Sequence, residues 1–136
     1  MALRFFRFAF VACAVAVMWA LVPPLTPVVH AEAPTGSCRS SAYAAASSYD
    51  GTMSGSAVND VYADGYSLSN CNGLSQTNAI FTAGLACQNA GIPAGGEHGI
   101  GYAVVDWTAV WQNSATGEVT VIGPVQQQYD CGDTFS

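Results

Sequence analysis

YAVVDWTAVWQ, residues 102–112, carries the clearest strand pattern in the chain. Every second residue is apolar, and these positions are Ala103, Val105, Trp107, Ala109 and Trp111. Residues two apart lie on the same face of a strand, so one face of this segment is wholly apolar. The opposite face mixes acidic, amide, aromatic and aliphatic side chains. The pattern therefore predicts a strand with one face in the core and the other outside it.

A second strand is predicted to follow this one through a tight connection. Residues 113–117 (NSATG) are typical of a turn, and the chain then returns with alternating apolar residues. Pairing Trp111 with Val119 and Ala109 with Val121 would put apolar residues together on one face. A glycine–proline pair then interrupts the alternation. Because proline has no N–H to donate, the returning strand is expected at a sheet edge or with a bulge.

A central helix is predicted for residues 75–90. Ser75 can cap its N-terminus, and Gly91, followed closely by a proline, ends it. The helical spacing places Cys87 on the buried face. Gly84 lowers helix propensity in the middle of the segment, which indicates close contact with a neighbouring element.

The N-terminal half of the domain is predicted to be helical or irregular. Ser37 can cap a helix that begins at Cys38, continues through several alanines and ends near residues 50–51. Residues 51–73 are expected to be mostly irregular, with one short helix at 57–63. The predicted fold is a small disulfide-stapled α+β domain. It has one or two alanine-rich helices, then the central helix packed on a C-terminal antiparallel hairpin or small sheet.

Residues 1–31 have the layout of a secretory signal peptide. Arg4 and Arg7 precede an apolar run, and small residues stand at positions −3 and −1 of a cleavage site after Ala31. The run is shorter than the ~20 residues that span a bilayer. We expect the leader to be cleaved, leaving residues 32–136 as a single secreted domain. Its destination is periplasmic or extracellular, with no membrane insertion after cleavage.

The charge of the domain is strongly acidic. Of three basic residues, only Arg39 follows the leader, and it faces nine carboxylates, so the side-chain net charge is −8. Such a surface repels phosphate backbones, which excludes nucleic-acid binding. An unknown protein or a cationic ligand is the expected partner.

Four cysteines follow the leader, and an even number in an exported chain predicts two disulfides: Cys38, Cys71, Cys87 and Cys131. The helix axis separates Cys71 from Cys87 too far for a disulfide between them. Two pairings remain, and Cys38–Cys71 with Cys87–Cys131 is favoured over Cys38–Cys87 with Cys71–Cys131. No C-x-x-C pair is present, so cysteine-bound zinc and other cofactors are not expected.

His98 is the candidate catalytic residue because it is the one histidine left after cleavage. It stands beside Glu97 between glycines, and either Glu97 or Asp106 could orient it as a base in a small hydrolase. No G-x-S-x-G nucleophile motif accompanies it.

Asp60 and Asp64 are the candidate calcium ligands. They match positions 1 and 5 of an EF-hand loop, with glycine at position 6. Tyr62 and Cys71 stand where positions 3 and 12 need oxygen ligands. The match to the loop is therefore incomplete.

The expected function is binding rather than catalysis. Six tyrosines accompany abundant serine, glycine and asparagine, a composition typical of adaptable recognition surfaces: Tyr43, Tyr49, Tyr62, Tyr66, Tyr102 and Tyr129. A specific form is an inhibitor that docks on a basic protein. The alternatives are the small hydrolase and a surface or assembly protein, and the oligomeric state is left open.

Overall fold

Four antiparallel strands and one helix make up residues 32–135, the part of the chain that the computed structural model describes. The predicted leader, residues 1–31, lies outside the described residues. The elements are β1 (Thr35–Ser48), β2 (Ser54–Ser67), α1 (Leu68–Ala90), β3 (Gly101–Asn113) and β4 (Val119–Asp130), followed by a 3-10 turn at Cys131–Asp133. The strand order in the sheet is β2-β1-β3-β4.

The alanine-rich segment after Cys38 is strand β1, so the predicted helix there is wrong. β1 is a central strand that pairs with both β2 and β3 over most of its length. Its alternate residues Ala42, Ala44 and Ala46 are buried under α1. Alanine favours a helix by well under 1 kcal/mol per residue. That preference is smaller than the combined effect of two strand ladders and a packed face, which together determine the local structure.

Strand β2 replaces the irregular segment and short helix predicted for residues 51–73, so that expectation is also wrong. The strand alternates exposed and half-buried positions from residue 54 to residue 64. The side toward α1 includes Asn59, whose Nδ2 donates to Oδ1 of Asn78 at 2.6 Å. Nδ2 of Asn78 in turn donates to the Asn59 carbonyl oxygen at 3.0 Å. A polar contact at a core-facing position removes the hydrophobic alternation by which a strand is recognised.

Helix α1 begins seven residues earlier than predicted and ends where predicted. The Ser67 hydroxyl accepts from the Asn70 amide at 3.1 Å, and Gly91 ends the helix with φ 80°. The helix packs on β1, β2 and β3 and scarcely contacts β4. The predicted packing on the C-terminal hairpin is therefore only partly correct. Within the described residues, no helix combines the length and the apolar character needed to cross a bilayer.

Strand β3 is confirmed with the buried face expected from its alternation. Its register with β4 differs from the prediction by one residue, because Trp111 pairs with Thr120 and Ala109 with Ile122. A one-residue shift moves every side chain of a strand to the other face. Val119 and Val121 consequently point away from α1.

The irregularity predicted at the glycine–proline pair is confirmed. Gly123 and Pro124 lie within β4, and the pairing with β3 shifts there, between Trp107 and Ala109. β4 is also an edge strand of the sheet. The position suits proline, because an edge strand leaves half of its N–H groups without a ladder partner.

Two disulfides join α1 to β1 and to the 3-10 turn after β4. Cys38 of β1 is bonded to Cys71, and Cys87 is bonded to Cys131, with Cα–Cα distances of 5.5 and 5.9 Å. The favoured pairing is confirmed. Each bridge closes a long loop and so removes conformational freedom from the unfolded chain.

Candidate functional site

The face of the sheet opposite α1 carries no second layer within residues 32–135. We call this surface the open face. It is formed by the odd-numbered residues 37–47 of β1, the even-numbered residues 54–64 of β2, the even-numbered residues 102–112 of β3, and residues 119, 121, 126, 128 and 130 of β4. Four strands of 12 to 14 residues present an area of about 800 Å², from the ordinary strand spacing and rise.

Most of the exposed large hydrophobic side chains of the described residues lie on the open face. Six of nine are there: Tyr43 (48% exposed), Val58 (65%), Tyr62 (58%), Val110 (40%), Val119 (55%) and Val121 (60%). Isolated exposed apolar residues are normal on a protein surface. A concentration on one uncovered sheet face is typical of an interaction surface.

One row across the open face shows how these side chains meet. Tyr62 of β2 pairs with Arg39 of β1, Arg39 with Val110 of β3, and Val110 with Val121 of β4. The Arg39 guanidinium carbon lies 5.7 Å from the centre of the Tyr62 ring, a cation–π distance. Four strands thus contribute to one continuous amphipathic row.

A shallow hollow lies between this row and the next, in which Ser37 pairs with Gln112. Its volume is ≈ 380 Å³, and it is lined by Ser37, Arg39, Tyr62, Val110 and Gln112. The lining offers hydroxyl, guanidinium and amide groups beside aromatic and aliphatic surface. Such a mixture suits amphipathic side chains of a partner better than a wholly apolar ligand.

Carboxylates stand among the apolar residues of the open face. The Tyr62 hydroxyl donates to Oδ1 of Asp64 at 2.6 Å, and this hydrogen bond raises the pKa of Tyr62. Asp106 accepts from Nε2 of Gln126 at 3.0 Å. Asp60 is also exposed on this face. The open face therefore combines exposed tyrosine and valine with three exposed carboxylates and one guanidinium.

The calcium candidates Asp60 and Asp64 both belong to strand β2 rather than to a loop. Four residues along a strand separate them by about 13 Å, whereas ligands of one calcium ion lie within about 2.6 Å of it. In residues 32–135 no group of three or more His, Cys, Asp and Glu side chains is placed to hold a metal ion.

His98 lies in the loop between α1 and β3, where it pairs with a residue that the sequence did not indicate. Its Nε2 is 2.5 Å from Oδ1 of Asp133, and both side chains are more than half exposed. The hydrogen bond with Asp133 and its negative charge raise the pKa of His98. Asp133 is 35 residues away in sequence. It is brought near by the Cys87–Cys131 disulfide, which anchors the 3-10 turn.

Next to this pair, Asp130 holds the loop in place. Its carboxylate accepts from the amides of Gly132 at 2.9 Å and Gly99 at 3.0 Å, and from the Tyr49 hydroxyl at 3.2 Å. The hydrogen bond from the Gly132 amide is the main cause of a lowered pKa of Asp130. The Tyr49 ring in turn lies 5.2 Å from that of Tyr102. Asp130 therefore has a structural role, because its carboxylate holds the amides of Gly99 and Gly132 and the Tyr49 hydroxyl together.

The structure does not bring His98 together with Asp106. The amide of Gly99, next to His98, donates to the Asp130 carboxylate. In the sheet, Asp130 of β4 lies opposite Tyr102 at the start of β3. Asp106 is four residues further along β3, about 13 Å away. Among the described hydrogen bonds, none links His98 to Glu97, to a hydroxyl or to a thiol. In the described residues the histidine thus has a carboxylate partner and no hydrogen-bonded nucleophile.

Comparisons with known proteins gave no match to this chain among protein-family models, curated proteins or solved structures.

Proposed function

We propose that the protein is a non-catalytic binding module and that the open face is its protein-binding surface. The observation that carries the proposal is the concentration of six of the nine exposed large hydrophobic side chains of residues 32–135 on this face. Covering them with a partner would remove apolar surface from water, the main driving force of protein association.

The size and composition of the open face support a reversible protein interface. An area of about 800 Å² equals the share that one partner contributes to an interface of standard size. Tyrosine and valine stand among serine, glutamine and charged residues, as in non-obligate interfaces and paratopes. A surface intended for permanent burial would contain fewer charges.

The scaffold supports the same function because it holds the face rigid before binding. The open face lies on a four-stranded sheet. Behind the sheet, disulfides join α1 to β1 and to the 3-10 turn that follows β4. A preformed surface loses little conformational entropy on association. The two disulfides also favour an oxidising compartment, so we place the function in the periplasm or outside the cell.

Affinity capture with matched variants tests the proposal. The Tyr43→Ser/Val121→Ser variant removes two apolar side chains from the open face, and Phe81→Ser removes one equally exposed on α1. We expect the wild type and Phe81→Ser to retain the same partner and the open-face variant to bind it at least about tenfold more weakly. Equal retention by all three proteins would refute the proposal. Thermal unfolding of each variant is measured as a check that the substitutions preserve the fold.

A further inference from the structure

The charges of the open face indicate what kind of protein it binds, and this inference rests on the function proposed above. We infer that the partner docks through a basic surface. Its lysine or arginine side chains would meet Asp60, Asp64 and Asp106 while its apolar residues cover the tyrosines and valines between them. All three carboxylates are exposed, and no lysine occurs anywhere in the chain.

The positions of the carboxylates fit long basic side chains. Asp106 pairs with Tyr43, which pairs with Val58, so this carboxylate lies in a row of exposed apolar residues. Asp64 accepts the hydroxyl hydrogen bond of Tyr62. The methylene stem of a lysine or arginine can lie on such apolar groups while its charged end reaches the carboxylate.

Arg39 is the one lysine or arginine of residues 32–135, and it lies within the open face. Within those residues its guanidinium forms no ion pair with any of the nine carboxylates; its described contact is the Tyr62 ring. For a basic partner, Arg39 is the one repulsive group on the face. The inference therefore predicts the sign of its effect: removing Arg39 strengthens binding.

Other cationic occupants fit the face less well. Asp60 and Asp106 lie on strands two apart and two residues apart along them, a separation of about 12 Å. Carboxylates so far apart cannot share a divalent ion. A second copy of the chain would bring one acidic face against another, each on a domain of net charge −8, and like charges oppose that contact.

Two synthetic peptides provide the probe. They share the same tyrosine and valine positions, and one carries three lysines where the other carries three glutamates. Their dissociation constants for the oxidised protein are measured by calorimetry at low and moderate salt. We expect the lysine peptide to bind at least about tenfold more tightly, with a difference that shrinks as salt rises.

Charge variants then locate the binding. Asp60→Asn with Asp106→Asn should weaken the lysine peptide about fivefold, and Arg39→Gln should tighten it about twofold. Glu97→Gln makes the same single charge change as one of the aspartate substitutions, but in the exposed loop after α1, and should leave the affinity unchanged.

Each contrary outcome overturns the inference in a distinguishable way. Tighter binding of the glutamate peptide, lost in Arg39→Gln, would show an acidic partner and leave the proposed binding function standing. An equal effect of Glu97→Gln would show non-specific attraction to the acidic domain. Self-association that the Tyr43→Ser/Val121→Ser variant abolishes would identify a second copy as the occupant. Failure of the proposed function itself is detected separately, by affinity capture.

Discussion

The two faces of β3 place valine side chains in very different surroundings. Val105 and Trp107 lie under α1 and are no more than 2% exposed, whereas Val110 on the other face is 40% exposed. Alternation along one strand separates them, and the same alternation continues through β1. The helix covers only one side of the sheet. The comparison indicates that the covered face stabilises the domain and that the open face is available for binding.

The largest expected effect is on the free energy of unfolding, when one aromatic residue on each face is replaced by alanine. Trp107→Ala removes a buried ring and should lower the free energy of unfolding by about 3–5 kcal/mol. Tyr43→Ala removes an exposed ring and should change it by no more than about 0.5 kcal/mol. Urea unfolding of both variants measures the two values. Similar losses for the two substitutions would contradict the assignment of separate roles to the faces.

A smaller effect concerns the outer side of α1, where the C-terminal segment contacts the helix. A Cβ added at Gly84 would come within 2.4 Å of the Phe135 ring. Alanine normally stabilises a helix by about 1 kcal/mol relative to glycine. We expect that gain only when Phe135 is replaced by alanine, because with the ring present the substitution displaces it. A double-mutant cycle followed by thermal unfolding measures the coupling. Additive effects would show that Phe135 does not pack on the helix.

The smallest expected effect is the pH dependence contributed by His98. Its pKa is raised above 6.5 by Asp133, so its stabilising contribution is fully present below pH 6.5 and is lost as the pH rises through the raised pKa. The melting temperature of the wild type should therefore exceed that of His98→Gln more at pH 5.5 than at pH 8.5. Both groups are exposed, so the difference is small. A constant difference in melting temperature at the two pH values would exclude the ion pair. Glu97→Gln, which leaves the His98–Asp133 pair in place, is the control and should show the pH dependence of the wild type.

Local signals predicted the parts of the fold whose determinants are close in sequence. The apolar alternation of β3 is complete within eleven residues, and Gly91 ends α1 by its own conformation. The length of a helix and the short reach of a disulfide excluded a Cys71–Cys87 bond and left two pairings, of which the favoured one is present. None of these inferences needed to know which element packs against which.

Strands β1 and β2 were not predicted because the residues on their two faces differ little in hydrophobicity. In β1 alanine occurs on both faces, so Ala45 outside and Ala44 inside leave no hydrophobic period. In β2 the exposed position Val58 is more apolar than the neighbouring Asn59, which is half-buried and bonded to α1. Alanine and asparagine are accepted in these places because the partner element supplies close packing or a hydrogen bond.

The candidate site was missed for a related reason. Tyr43, Tyr62 and Tyr102 are three of the six tyrosines that the composition marks as recognition residues, but their placement on one face required the strand order. Tyr66 and Tyr129 instead pack against the core, and Tyr49 donates to Asp130. Near the turn, each β3 residue pairs with a β4 residue one position later than expected: Gln112 pairs with Val119, and the Asn113 amide donates to the Glu118 carbonyl oxygen. This one-residue shift decides that Val119 and Val121 belong to the open face. Asp133, the partner of His98, came from a segment with no motif.

The sequence by itself determined the acidic charge, the central helix and its end, strand β3 with its buried face, and the four cysteines, for which it excluded one of the three possible pairings. These properties depend on composition, on periodicity within one element or on covalent reach. Only the tertiary structure decided that the alanine-rich segment is a central strand and that the helix covers one side of the sheet alone. Strand pairing and helix placement depend on residues distant in the chain, whose packing outweighs local preferences of less than 1 kcal/mol per residue.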